Sequence, residues 1–204
     1  MRKSRKEAAE TRKRIVEAAA REFREKGIVA TGLADLMEAA GLTRGGFYKH
    51  FVSKDQLVAE ATVAAVDGIL EELAAQPTVN SAVAAYLSTR HRDDPAAGCP
   101  LAALGGELAR SDKKTRAAAT AGFERLVDIL AGKARTADAR RRALAAAATM
   151  IGAVTMSRMV SDPKLSAEIL GAAAQDLMRM SRDGSPAGGG APTRRRGDSS
   201  AFGR

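Results

Sequence analysis

Between Thr43 and Lys54 the chain reads T-R-G-G-F-Y-K-H-F-V-S-K, a cluster of hydrogen-bond donors set around two glycines. Arg44 carries a guanidinium fork that matches guanine O6 and N7. Tyr48, His50 and Lys54 offer hydroxyl, imidazole and ammonium groups suited to phosphate oxygens, and Lys49 adds an outward cation. Gly45 and Gly46 have no side chain, so the backbone can come close to a phosphate or a thymine methyl. Thr43 falls at an expected helix start, where free backbone N–H groups attract an anion. This chemistry is recognition of a polyanion. A second distinctive group is Cys99, which follows the polar stretch Arg92–Gly98 and precedes Pro100. Proline favours the first helical position. The thiol is therefore expected at a helix N-terminus, a place that lowers its pKa and favours the thiolate.

Residues for catalysis are sparse. The two histidines are His50 and His91, and His91, Asp93, Asp94 and Cys99 follow no metal-ligand spacing. No phosphate-binding Gly-Lys-Ser/Thr loop or serine elbow is present, and Gly188-Gly189-Gly190 lies in a tail rather than between a strand and a helix. The reading is a protein that is not an enzyme and needs no metal or cofactor.

The elements that hold these residues follow from composition. The 204 residues are 45% apolar, with alanine prominent and only five Phe, two Tyr and no Trp. That balance favours helix over β-sandwich or barrel, and an all-α fold is expected. The lone cysteine cannot form an intrachain disulfide, which fits a reducing compartment. The start of the chain is charged, with no apolar signal segment. The uncharged run Ala143–Ser157 is shorter than the roughly 20 residues of a membrane span. A cytoplasmic location is expected. The net charge is +9, yet residues 1–55 hold 13 basic against 8 acidic side chains, so a quarter of the chain carries more than half of the excess.

Periodicity predicts a first helix from about Ala8 to Lys26, with Ile15, Ala19 and Phe23 inward and Gly27 as its stop. A short helix runs from about Leu33 to Ala40 behind Thr31 or Gly32 as N-cap, and Gly41 ends it. Another runs from Thr43 to about His50, with Phe47 and Phe51 facing inward together. Ser53 caps a long helix to about Ala75. Further helices are expected over about 79–89, from Pro100 to about Ala109, after the cap Ser111-Asp112, over about 137–161, and from Pro163 to about 182. In the 137–161 helix, Leu144, Ala148, Ile151, Thr155 and Met159 form the expected stripe. In the last helix it is Leu165, Ile169, Ala173, Leu177 and Met180. The Gly-, Pro-, Ser- and Arg-rich tail, 183–204, is expected to be disordered.

Residues 32–51 therefore predict two short helices joined by a tight turn at Gly41-Leu42, a helix-turn-helix. From about Ile15 to Leu57 the chain resembles the DNA-binding domain of the TetR family of bacterial transcriptional regulators. Asp35, Leu36, Ala39, Ala40, Gly41, Leu42, Thr43, Gly45, Tyr48, His50, Phe51, Lys54 and Leu57 fall in register with that family's pattern. Gly32 departs from it, standing where Ser or Thr usually caps the helix and meets a phosphate, with Thr31 as the substitute. Met37 stands where alanine is usual. The wording G-L-T-R-G-G-F-Y-K-H-F resembles one large branch of the family.

The resemblance implies a head over 1–55 and a helical effector-binding and dimerisation body over 56–182. It implies a homodimer formed through the helices at about 137–161 and 163–182, with a small-molecule effector and double-stranded DNA as partners. Pocket residues in this family come from the middle helices, where Tyr86, Leu104, Phe123 and Leu126 are candidates by size and place. Gly98-Cys99-Pro100 is similar to a branch in which some members sense electrophiles or oxidants through a cysteine. A homodimeric repressor released from a near-palindromic operator by a small-molecule or thiol-reactive effector is the expectation. The alternatives are a non-specific architectural DNA-binding protein, marked by steep salt dependence without sequence preference, and a helical ligand-binding protein without DNA function.

Overall fold

The computed structural model describes residues 5–134 and 136–183. Most of the tail expected to be disordered, 184–204, lies outside the described residues. The regular structure among the described residues is helical throughout: α1 (Arg5–Lys26), α2 (Leu33–Ala39), a 3-10 helix (Arg44–Lys49), α3 (Lys54–Ala74), α4 (Val79–Tyr86), α5 (Thr89–Asp93), α6 (Pro100–Ala109), α7 (Lys113–Ala131), α8 (Ala137–Met159) and α9 (Pro163–Asp183). Side-chain caps set several starts. Ser53 Oγ accepts the Gln56 amide at 3.1 Å, Asp112 Oδ1 accepts that of Thr115 at 2.7 Å, and Thr136 Oγ1 accepts that of Ala139 at 3.1 Å. The stretch expected as one helix over 79–89 is two, because the chain breaks at Leu87 and Ser88 starts α5 by accepting the His91 amide.

Two hydrophobic cores share α3. One gathers Ile15, Ala19 and Phe23 of α1, Leu36 and Met37 of α2, Phe47, Phe51, and Leu57, Val58, Ala61 and Ala65 of α3, and is closed by Leu104 and Leu108 of α6. The other joins Val66, Ile69, Leu70 and Leu73 of α3 to α4, α7, α8 and α9. The boundary expected at residues 55/56 thus falls inside a continuous helix. Apolar residues on successive turns of α3 serve first one core, then the other. Near the junction α3 crosses α7 at Gly122, where an added Cβ would lie 2.7 Å from Val66. The two backbones approach that closely only because Gly122 has no side chain.

The expected stripe on α8 is rotated. Ala143, Ala147, Met150 and Val154 face the core, while Leu144, Ala148 and Met159 are exposed. With alanine or larger apolar residues on every face, the period of α8 does not mark which side is inward. On α9, Leu170 and Leu177 are buried and Leu165 and Met180 lie outward. Among the described residues, no helix is long and apolar enough to cross a membrane.

Candidate nucleic-acid interface

The turn between α2 and the 3-10 helix is set by Gly41, whose φ of 69° is the left-handed region that glycine enters without strain. There the Gly41 amide donates to Glu38 O and the Leu42 amide to Met37 O, each at 2.8 Å. These bonds cap α2 and aim the chain into Thr43. Phe47 and Phe51 then anchor the next segment. Their rings stack at 5.5 Å, and Phe47 is 0% exposed. With Phe47 held inward, the neighbouring positions must face out. Thr43, Arg44, Gly45 and Lys49 are exposed, and Tyr48 is 72% exposed with its ring edge-on to Phe47. Thr43 uses no side-chain bond to cap the 3-10 helix, so its hydroxyl is not committed there.

The two glycines differ. An added Cβ at Gly45 would meet nothing within 4 Å, whereas at Gly46 it would touch the methyl of Met37 at 3.4 Å. Gly45 is therefore not required by internal packing and leaves space for a partner. Gly46 makes room for Met37, which is buried and explains the departure from alanine at that position.

Two of the residues expected at phosphates have partners inside the head. Thr31 is 1% exposed and its hydroxyl donates to Gly27 O at 2.6 Å. Its β-branched side chain is thus part of the α1–α2 turn, not a substitute for a surface Ser or Thr. Gly32 itself caps α2, with its amide donating to Asp35 Oδ2 at 3.0 Å. Lys54 is also occupied: Nζ donates to Ile28 O at 2.6 Å and Thr31 O at 2.7 Å. Both carbonyls belong to the same turn, so this ammonium clamps the head. His50 is half-buried, and its carbonyl accepts from Arg12 Nε at 3.4 Å.

Three further contacts brace this surface. The Arg12 guanidinium pairs with both Glu60 oxygens, tying α1 to α3, and lies 4.5 Å from the centre of the Phe51 ring. Hydrogen bonding from Arg12 holds the Glu60 carboxyl below its ordinary value, against the effect of burial. Glu107 of α6 accepts the Ile28 amide at 3.1 Å and the Val29 amide at 2.9 Å. Arg24 of α1 donates from Nη1 to Gly98 O at 3.0 Å. Sequence separations of 48 to 79 residues hide these pairs from local periodicity.

This geometry agrees with comparisons to known proteins. Residues 15–61 match the model of bacterial regulatory proteins of the tetR family, and residues 59–165, half of the chain, match the C-terminal domain of LmrA/YxaF-like transcriptional regulators. An uncharacterized HTH-type transcriptional regulator of Mycobacterium tuberculosis is 31% identical over 171 residues, covering 74% of this chain and 86% of its own. The chain belongs to the TetR family. The HTH-type transcriptional regulator TtgR of Pseudomonas putida is 50% identical over 58 residues, but that match spans only 28% of either chain. A TetR transcriptional regulator from Chloroflexus aurantiacus, solved as a crystal structure, superposes with a TM-score of 0.68 at 28% identity, covering 85% of this chain and 95% of its own.

In the TetR-type body three of the four expected pocket residues share one core and the fourth lies apart. Tyr86 and Leu126 are packed in the body core, with Phe123 partly buried against it. Leu104 belongs to the head core. Size and mid-chain position select core residues as readily as lining residues, and of the four only Tyr86 also lines a small niche. A cavity of about 310 Å³ lies instead between α4, α7, α8 and α9, lined by Val83, Leu130, Ala143, Ala146 and Leu177, with Arg142 as its cation.

The lowered thiol pKa expected at Cys99 is also corrected. Cys99 is the N-cap of α6, and the Leu101 and Ala102 amides do favour its thiolate. But the residue is 2% exposed, and burial pushes the thiol up by more than those amides and Tyr86 lower it. Its amide is held by His91, whose Nε2 accepts the Cys99 N–H at 2.8 Å while Nδ1 lies 2.6 Å from Tyr86 O. A nitrogen that accepts from an amide leaves the other to carry the proton, so His91 is neutral with its proton on Nδ1. Burial lowers its pKa further, beyond what the Tyr86 carbonyl restores.

Proposed function

We propose that this chain is a sequence-specific DNA-binding repressor that acts as a homodimer in the cytoplasm and leaves its operator when a small molecule occupies the body. The observation that carries the reading is the outward row Thr43, Arg44, Gly45, Tyr48 and Lys49 on a segment anchored by Phe47 and Phe51. Arg44 is assigned to guanine, Tyr48, Lys49 and Thr43 to phosphate, Gly45 to close backbone approach, and His50 to the edge of the contact. Lys54 and Thr31 hold the turn beneath them. The head is assigned to residues 1–55 and the body to 56–182, with α3 common to both.

The outer faces of α8 and α9 support pairing with a second copy. Leu144, Met156, Met159, Leu165 and Met180 are exposed there, Met159 by 69%, and Ala145, Ala148 and Thr149 on α8 leave room for close approach. A two-fold dimer would set two heads about 34–36 Å apart, one DNA turn, and favours a near-palindromic site. An effector can act only through its difference in affinity between DNA-fitting and non-fitting geometries, typically ~1–3 kcal/mol. Selection of fragments from genomic DNA with purified protein tests the reading. One enriched near-palindrome is expected; recovery without sequence preference would contradict it and favour the architectural alternative.

A further inference from the structure

A second cavity lies where the head meets the body. It is a cleft of about 560 Å³ between α1, the end of α2 and α3, a size within the roughly 300–1,000 Å³ usual for small-molecule sites. Its floor is made of small side chains: Ala18, Ala40, Ala64, Ala65 and Gly68, with Ile69 at one end. An added Cβ at Gly68 meets nothing within 4 Å, so the space is kept open by residue type and not by an intervening side chain.

The rim is basic. Arg14, Arg21 and Arg24, at spacings of seven and three along α1, all line the cleft. Two glutamates line it too, and both are engaged: Glu17 with Lys13 at 3.7 Å, and Glu72 with Arg90 at 3.5 Å. Among the described residues, Arg14 and Arg21 have no acidic partner. Arg24 is half-buried. Nη1 donates to Gly98 O, Asp94 lies close to its charge, and Nε is buried with no partner. A buried donor left unpaired is destabilising. Arg24 lines the cleft beside the two exposed arginines. A smaller niche of about 100 Å³ adjoins along Ile69, Glu72 and Ala97, with Leu73 and Tyr86 on one side and Arg90, His91 and Asp94 on the other.

We propose that this cleft binds an amphipathic organic anion, with a carboxylate or phosphate head at Arg14, Arg21 and Arg24 and a short aliphatic body along the alanine floor. Arginine recognises both head groups through paired N–H donors. The site lies where α1 meets the 94–98 loop that leads into α6, outside the body cavity, and its occupancy does not depend on DNA binding.

The test titrates the full chain by calorimetry with sodium octanoate, octyl phosphate, inorganic phosphate and octanol. Octanoate or octyl phosphate binds with one site per chain, and whichever binds identifies the head group. Octanol and inorganic phosphate bind at least tenfold more weakly. Arg14→Gln with Arg21→Gln, both exposed, weakens binding about tenfold, the scale of a lost charged hydrogen bond. Gly68→Leu fills the cleft and abolishes binding while improving helix propensity, so circular dichroism and Tm report an intact fold. No heat with either amphiphile would overturn the proposal. So would equal affinity for inorganic phosphate, or binding unchanged in both variants. Loss of affinity for a random DNA duplex in the double Gln variant, with no effect on amphiphiles, would reassign the arginines to the DNA backbone and also overturn it.

Discussion

The segment 43–49 and the cluster around Cys99 organise polar groups in opposite ways. In the first, Phe47 and Phe51 take the interior, and the polar groups of Thr43, Arg44, Tyr48 and Lys49 go outward, to solvent. In the second, polar groups go inward and bond largely to one another, leaving Arg24 Nε, Arg158 Nη1 and the Tyr86 hydroxyl buried without a hydrogen-bond partner. His91 bridges the Tyr86 carbonyl and the Cys99 amide, Arg158 donates to Arg92 O at 2.9 Å and also to His91 O, and Arg24 reaches Gly98 O. Packing at Gly98 itself is tight, since an added Cβ there would lie 2.7 Å from the His91 ring. Outward groups are free to read a ligand. Inward groups fix the start of α6, whose far end, Glu107, holds the turn of the head.

Four experiments break or sharpen that contrast. Phe47→Ala removes the anchor of the outward segment and is expected to destabilise the protein by about 3–5 kcal/mol, read from chemical denaturation. A loss below 1 kcal/mol would mean that the segment is not held by its core. Glu107→Ala leaves the Ile28 and Val29 amides without their acceptor. The expected cost is about 1–3 kcal/mol, with hydrogen exchange rising first at those two amides. Uniform exchange across the chain would contradict a local latch.

The third experiment varies pH. Because the folded state holds His91 neutral with its pKa below the ordinary 6.5, the unfolded chain takes up a proton first as pH falls. Stability is therefore level above 6.5 and declines as pH drops below it, until the folded-state pKa is passed. Glu60 acts lower, where its pairing with Arg12 is lost as pH falls below the ordinary 4.5. His91→Gln should remove the upper decline and leave the lower one; an unchanged upper decline would assign it to another group. The smallest stability effect belongs to Gly45→Ala. The open space at Gly45 predicts a change within about 1 kcal/mol, in either direction, while DNA affinity falls. Unchanged affinity would show that no partner backbone comes close at this position.

The same contrast explains what the sequence made legible. The outward segment is local. Gly41, Phe47 and Phe51 lie within eleven residues, their spacing determines which side chains face in, and Phe47 and Phe51 are buried as that spacing requires. The inward cluster joins residues 24, 86, 91, 98, 99 and 158, and no local period reports such a meeting. Cys99 shows the cost of reading only the local term. The helix start does act on the thiol, but burial by distant elements acts more strongly. Lys54 and Thr31 show the same limit, since the carbonyls of Ile28 and Gly27 that they meet give no signal in composition. On α8 the failure is different: alanine on nearly every face leaves the orientation to packing.

The central claim is that Arg44 reads a base from an anchored, outward segment. Its direct test is the affinity of Arg44→Ala for the enriched fragment and for a random duplex at one salt concentration. The account predicts a loss of about 1–3 kcal/mol on the enriched fragment, a much smaller loss on the random duplex, and relaxed preference at one base pair. Equal losses on both DNAs would contradict it.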